Sequence, residues 1–349
     1  MTENKKERLF SRSKIFFYIL SVGIFVFGAI YFTEIKKDVK LFAKVNPLWL
    51  CLALFGQAAT YLFGALVYRQ LLSAFNIKIK QATWTLAQVS IVTLFFNQTV
   101  PSAGISGNTY FFNFLRKKNV PVDQAVSVIS TDLFTFYAAM EILIVAVLVI
   151  VLFFVRVPAL FTIILVVGFL VYLVFGLAVE FISRERPVKK IYNKIKSVKI
   201  FQKLIASIRK PFPANVSFSD IRSPLQFFQQ KSKMTVVQAV LLQLLIFFAD
   251  GFTIFCLFEG LGVSDKVLAV AIAFVLTKII SLLPVSPGAL ILYEGSMVFF
   301  FSRLGVHLST AVVVTLLYRA LSFWIPIFLG LFLYKKLKSG KKINDTNKW

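Results

Sequence analysis

The sequence predicts an all-α, polytopic membrane bundle, on three observations. Hydrophobic residues make up 58% of the 349 positions, and 40 residues are Phe. Several apolar runs reach the ~20 residues that cross a ~30 Å hydrocarbon core. Lys and Arg outnumber Asp and Glu by 39 to 15, and they gather in the tails and loops between those runs, the positive-inside pattern. The same distribution argues against nucleic acid as the partner behind the +24 charge.

Taken in order, Met1 to Lys14 carries Lys5, Lys6, Arg8, Arg12 and Lys14, which predicts a cytoplasmic N-terminus. The run from Ile15 to Thr33 follows a basic tail as a signal peptide would. It is long, lacks a small-residue cleavage site and is succeeded by further spans, so it reads as a retained first helix. A second span is expected over about Pro47 to Tyr68, with Arg69, Lys78 and Lys80 marking a return inside. Thr83 to Phe96 is too short to cross comfortably. It ends in the helix-breaking cluster Asn97 to Asn108, which holds Pro101 and Gly104, and a short apolar piece then leads to Arg116-Lys117-Lys118. With that triplet on the cytoplasmic side, the region enters and leaves on one face as a re-entrant hairpin.

Spans follow over about Asp123 to Phe154 and, after the Arg156-Val157-Pro158 turn, to Ile182. Ser183 to Lys233 is polar, with thirteen Lys and Arg from Arg184 onward. Within it Val188, Ile191, Ile195, Val198, Phe201, Ile205 and Ile208 recur at helical spacing between lysines. That fits either an interfacial helix on anionic headgroups or a cytoplasmic helix packed on its own bundle. A span over about Thr235 to Phe258, a second hairpin from Val267 to Arg303 and a last span over about Leu308 to Tyr334 complete the chain, before a basic tail. The expectation is about six full spans plus two re-entrant broken-helix hairpins in one domain, 1–349. Cys51 and Cys256 sit in expected spans with no framework or ligand spacing and read as small apolar fillers; His307 stands alone and suggests no metal site.

The second hairpin turns on Leu283-Pro284-Val285-Ser286-Pro287-Gly288-Ala289, with Glu294 just beyond. Two prolines and a glycine within five positions cannot continue a helix. In hydrocarbon, such backbone survives only inside protein or beside a wet cavity. An interrupted apolar segment with an ionisable residue is therefore a candidate site, and Pro287, Gly288 and Pro101 belong to it. Shifting the chain by 186 positions superposes the two broken regions without a gap. Pro101 falls on Pro287, Ala103 on Ala289, Gln57 on Gln243 and Asn108 on Glu294. From Ala53 to Val128 the register holds 14 identities in 76 positions. The predicted topology makes the copies inverted: repeat 1 over about 47–155, a basic cytoplasmic loop over 183–233, and repeat 2 over about 234–334. Inverted repeats with paired broken segments build midplane sites in many transporters.

The ionisable residues expected at membrane depth are Asp132, Glu141, Asp250, Lys278, Glu294 and Arg319. Each costs ~2.5–3.5 kcal/mol at a helix centre on insertion scales, so they must face one another, a polar cavity or a substrate. One reading makes Arg319 and Lys278 phosphate contacts oriented by Glu294 and Asp132, with Asn108 facing the same region. The other makes the charges an ion-pair network that fixes helix register. Nothing beyond depth marks Glu141 and Asp250. No zinc-type His motif, nucleotide-phosphate loop or Ser/His/Asp set occurs. The sequence therefore points to no enzyme and to no cofactor.

Pro284-x-Ser286-Pro287-Gly288, Glu294, Tyr318-Arg319, Phe323-Trp324-x-Pro326 and Gly330 together resemble the C-terminal signature of a flippase-like family that includes the transmembrane domain of lysylphosphatidylglycerol synthases. Asn97, Pro101 and Gly104 resemble its N-terminal signature. The resemblance covers most of the chain and extends to the flippase half of the synthases only. It implies a prokaryotic plasma-membrane protein that moves lipids between leaflets, or assists lipid-linked glycan or hopanoid traffic. Two departures stand out. Gly288-Ala289-Leu290-Ile291 replaces the frequent Gly-Gly-x-Gly, and Thr131-Asp132 replaces a Glu-Arg pair. The expected function is thus a flippase or transporter for an amphiphile with an anionic or phosphate headgroup, with both termini cytoplasmic. The alternatives are a small-solute secondary transporter and a non-transporting subunit of a lipid-glycan assembly system. Membrane lipids are the expected partners, and a homodimer and lipid-glycan enzymes stay open.

Overall fold

A computed structural model describes residues 45–77, 83–100, 105–183, 223–226, 233–283 and 287–345. The expected first span Ile15 to Thr33, the amphipathic stretch Val188 to Ile208, and Pro101, Gly104 and Pro284 to Ser286 lie outside the described residues. Among the described residues every regular element is helical. They are α1 (Pro47–Ala74), α2 (Thr83–Thr99), α3 (Ile105–Lys117), α4 (Val122–Phe153), α5 (Ala159–Ile182), α6 (Lys233–Gly260), α7 (Val267–Ile280), a 3-10 turn (Pro287–Ala289), α8 (Leu292–Arg303), α9 (Leu308–Arg319), a π turn (Ala320–Trp324) and α10 (Ile325–Asp345). Among the described residues five helices are long and apolar enough to cross a membrane: α1, α4, α5, α6 and the continuous stretch Leu308–Leu337. The chain is a multi-pass helical membrane protein. Its outward faces agree with this, since Phe153, Phe154, Val174, Phe248, Phe328 and Phe332 are all more than half exposed and would be costly in water.

Helix starts follow from local chemistry. Asn46 caps α1 by accepting from Leu48 N at 2.9 Å, and Pro47 takes the first helical position, where a missing N–H costs nothing. Pro121 and Pro158 stand immediately before α4 and α5 in extended backbone. The short helices pair as α2–α3 and α7–α8, the two hairpins expected from the breaker clusters. Of the two cysteines, Cys256 is a buried filler, whereas Cys51 is exposed on α1 rather than packed inside.

Helix ends recur in the register of the internal repeat. Pro47 and Lys233, Ala74 and Gly260, Lys117 and Arg303, and Val122 and Leu308 are each 186 positions apart, and each pair begins or ends a helix. The equivalent helices α1 and α6 lie against each other and run antiparallel, as an inversion requires. Asn46 N donates to Gly260 O at 2.8 Å at one end, and Gln70 Nε2 donates to Gln238 Oε1 at the other. Midway, Gly56 permits close approach: a Cβ there would lie 2.7 Å from Thr253 Oγ1. One apolar core joins α6 to α9 with the distal parts of α4 and α5. A second joins α1, α2 and α3 with the start of α4. The space left between them is the candidate site.

Candidate functional site

The two hairpins and α1, α4, α6 and α9 enclose a cavity of about 470 Å³. Register-equivalent positions of both repeats line it, among them Gln57 with Gln243, Gly64 with Asp250, Asn97 with Leu283, and Asp132 with Tyr318. The cavity therefore lies where the two repeats meet. Its polar lining includes Thr60, Ser90, Thr93, Asn97, Gln98, Asn108 and Ser281, and aromatic rings of Tyr61, Tyr68, Phe136, Tyr137, Tyr293 and Tyr318 fill the intervals.

The broken turn of the second hairpin forms one wall. Gly288, Ala289 and Ile291 have φ of 55°, 52° and 73°, and a β-branched residue in the left-handed region is a true outlier. Two charged side chains hold this backbone. Glu294 Oε2 accepts from Ile291 N at 2.7 Å, while its Oε1 accepts from Arg319 Nε at 2.5 Å. Arg319 Nη2 donates to Gly288 O at 3.1 Å. The guanidinium also lies over the rings of Tyr293 and Phe323, at 4.6 and 4.1 Å. Those contacts leave Arg319 6% exposed. A side chain at Gly288 would force Phe323 to move, because a Cβ would lie 2.1 Å from Phe323 Cε2.

The π turn comes from Pro326, which has no N–H to close the α-helix at that point. The carbonyls this frees are taken by repeat 1: Gln98 Nε2 donates to Ser322 O at 2.9 Å and Tyr61 OH to Leu321 O at 3.4 Å. Both donors line the cavity, so the two repeats are tied together at its wall. In the first hairpin the equivalent clasp is neutral. Asn97 Oδ1 accepts from Gly107 N at 2.8 Å, and Ser106 Oγ donates to Phe96 O at 2.8 Å.

The structure places the expected site residues as follows. Arg319, Lys278, Asp132, Asn108 and Gly288 line the cavity, and Glu294 reaches it through Arg319. Pro287 opens the 3-10 turn, and Pro101 lies outside the described residues. The expected pairing of carboxylates with cations changes in one respect. Lys278 Nζ pairs with Asp250 Oδ2 at 3.2 Å, whereas Asp132 Oδ1 accepts from Gln243 Nε2 at 3.1 Å and meets no cation among the described residues. Lys278 and Asp250 project from adjacent helices onto the same stretch of wall, whereas Asp132 on α4 faces the Gln243 amide of α6. Asp250, marked in the sequence by depth alone, is thus a site residue. Glu141 lies away from the cavity, with both carboxylate oxygens lacking a hydrogen-bond partner among the described residues. Gln57, Gln98 and Tyr293 were not foreseen as lining; for Gln57 the signal existed in its register match with Gln243.

A polytopic helical membrane protein with a polar, charge-bearing cavity closed by two broken hairpins is the class that this fold and site define. The family model for the lysylphosphatidylglycerol synthase TM region matches residues 17–330. The chain belongs to that family. It is 24% identical over 336 residues to a UPF0104 membrane protein of Pyrococcus horikoshii, covering 90% of this chain and 95% of the relative. It is 23% identical over 326 residues to one of Methanocaldococcus jannaschii, covering 88% and 90%. A UPF0104 membrane protein of Methanothermobacter thermautotrophicus is 29% identical over 116 residues, about a third of each chain.

Proposed function

We propose that this protein moves a lipid between the leaflets of a prokaryotic plasma membrane, carrying the headgroup through the cavity while the acyl chains stay in the bilayer, and that it is not an enzyme. The observation that carries this reading is a charge-bearing cavity lined by residues of both repeats and walled by both hairpins. A site between two such repeats can be reached from either side when the halves rock against each other. About 470 Å³ suits a headgroup or a small ligand and is too little for a whole two-chain lipid. The same volume favours, as a second reading, secondary transport of a small solute.

Reconstitution into liposomes with tail-labelled lipids tests the proposal. Lipid movement between leaflets is expected in the wild type and is expected to fall at least about tenfold in Asp250→Asn, which leaves Lys278 without its counter-charge. Absence of lipid movement, together with uptake of a soluble solute, would favour the second reading.

A further inference from the structure

We infer that the cavity recognises a hydroxyl-rich headgroup, a sugar or polyol, through neutral hydrogen bonds and aromatic faces, and that phosphate is not the recognised group. This rests on the transport reading above and names its cargo class.

Charge is the first argument. Three carboxylates (Asp132, Asp250, Glu294) accompany two cations (Lys278, Arg319) at the cavity. Both cations are already paired with carboxylates, Arg319 through Glu294 and Lys278 through Asp250. Arg319 further spends a donor on Gly288 O and packs against two aromatic rings. A phosphate would add negative charge where both cations are already neutralised, and would compete with Asp250 for Lys278 at membrane depth.

Unfilled hydrogen-bond capacity is the second. The amide oxygen of Gln57, a residue 5% exposed, has no hydrogen-bond partner among the described residues, and neither has that of Gln98. Turning the Gln57 amide over does not satisfy it, because Thr60 Oγ1 accepts from Gln57 Nε2 at 3.0 Å and gives its one hydrogen to Gln57 O at 2.6 Å. A buried polar atom without a partner is costly, so these atoms await a ligand or water. A phosphodiester has no hydrogen to give to the two amide oxygens, although it could accept from the Thr93 and Tyr293 hydroxyls, which also lack a hydrogen-bond partner among the described residues. An ammonium group has hydrogens to give, but it would enter beside Lys278 and Arg319. A hydroxyl both donates and accepts without charge, and the Tyr and Phe side chains among the lining supply apolar carbon for a sugar ring to pack against.

The test uses the full chain in phosphatidylcholine vesicles and nanodiscs with three tail-labelled probes: glucosyl-diacylglycerol, phosphatidic acid and phosphatidylethanolamine. Glucosyl-diacylglycerol is expected to cross about tenfold faster than either of the others, and to raise the melting temperature of the wild type selectively. Gln57→Leu is expected to remove that preference, a change of about tenfold for one lost hydrogen bond, with unaltered melting in the absence of probe. Phosphatidic acid or phosphatidylethanolamine moving as fast as the glucosyl lipid overturns the inference and leaves transport standing. If no lipid moves but the glucosyl lipid alone stabilises wild type and not Gln57→Leu, the headgroup assignment stands and the transport reading falls. Equal stabilisation by all three probes overturns the assignment as well.

Discussion

Arg319 and Glu294 illustrate how a charge can be placed at membrane depth for the sake of the backbone. Between them they hold Gly288 O and Ile291 N, the carbonyl and amide of a turn that contains three left-handed residues. Removing one partner leaves the other buried and uncompensated, at a cost of about 3–5 kcal/mol, whereas replacing both with apolar residues of similar size costs much less. Glu294→Gln and Arg319→Met should each therefore melt well below the wild type in detergent. The double variant Glu294→Leu/Arg319→Met should recover part of the loss, and additive losses would contradict the pairing. At Gly288 the argument is steric. Ala would be forced to positive φ and into Phe323, so Gly288→Ala is expected to destabilise by about 1–3 kcal/mol, measured by the same melting.

At the scale of elements, the π turn is the joint between halves. Pro326 withholds a donor, and Gln98 on α2 supplies one to Ser322 O. Gln98→Leu should then cost about 1–3 kcal/mol by orphaning a buried carbonyl. In a Pro326→Ala background, where a backbone N–H is restored, the same change should cost less. A double-mutant cycle on melting temperature reads this coupling, and zero coupling energy would refute it. The α1–α6 crossing makes a parallel case. Gly56→Leu should separate the two helices, since even a Cβ would meet Thr253 Oγ1 at 2.7 Å. The expected result is lower stability and loss of detergent-resistant monodispersity.

For the whole molecule, the antiparallel contact of α1 with α6 has a consequence for accessibility. If the halves are inverted across the membrane, the two hairpins approach the cavity from opposite sides. In a background with Cys51 and Cys256 replaced by Ala, Ser106→Cys and Leu292→Cys should react with an impermeant reagent from opposite faces of the vesicle. Labelling of both from the same face would remove the inversion and, with it, the basis for two-sided access.

Much of this molecule was legible in the chain itself. Apolar run length decides which segments cross, because hydrocarbon thickness and helix rise are fixed, and proline with glycine decides where they break. The 186-residue register paired Gln57 with Gln243, and the structure then showed helix ends recurring in it. The depth of Asp132, Asp250, Lys278, Glu294 and Arg319 was visible as well. Only the tertiary structure decided which carboxylate meets which cation. Asp132 was the carboxylate the sequence assigned to the cations and Asp250 was marked by depth alone, yet Lys278 takes Asp250 and leaves Asp132 to an amide. Pairing depends on the direction in which each side chain leaves its helix and on helix rotation, both set by packing against neighbours distant in the chain. The same is true of the carbonyls that Pro326 frees: composition says they must find donors, and only the packed fold selects Gln98 and Tyr61.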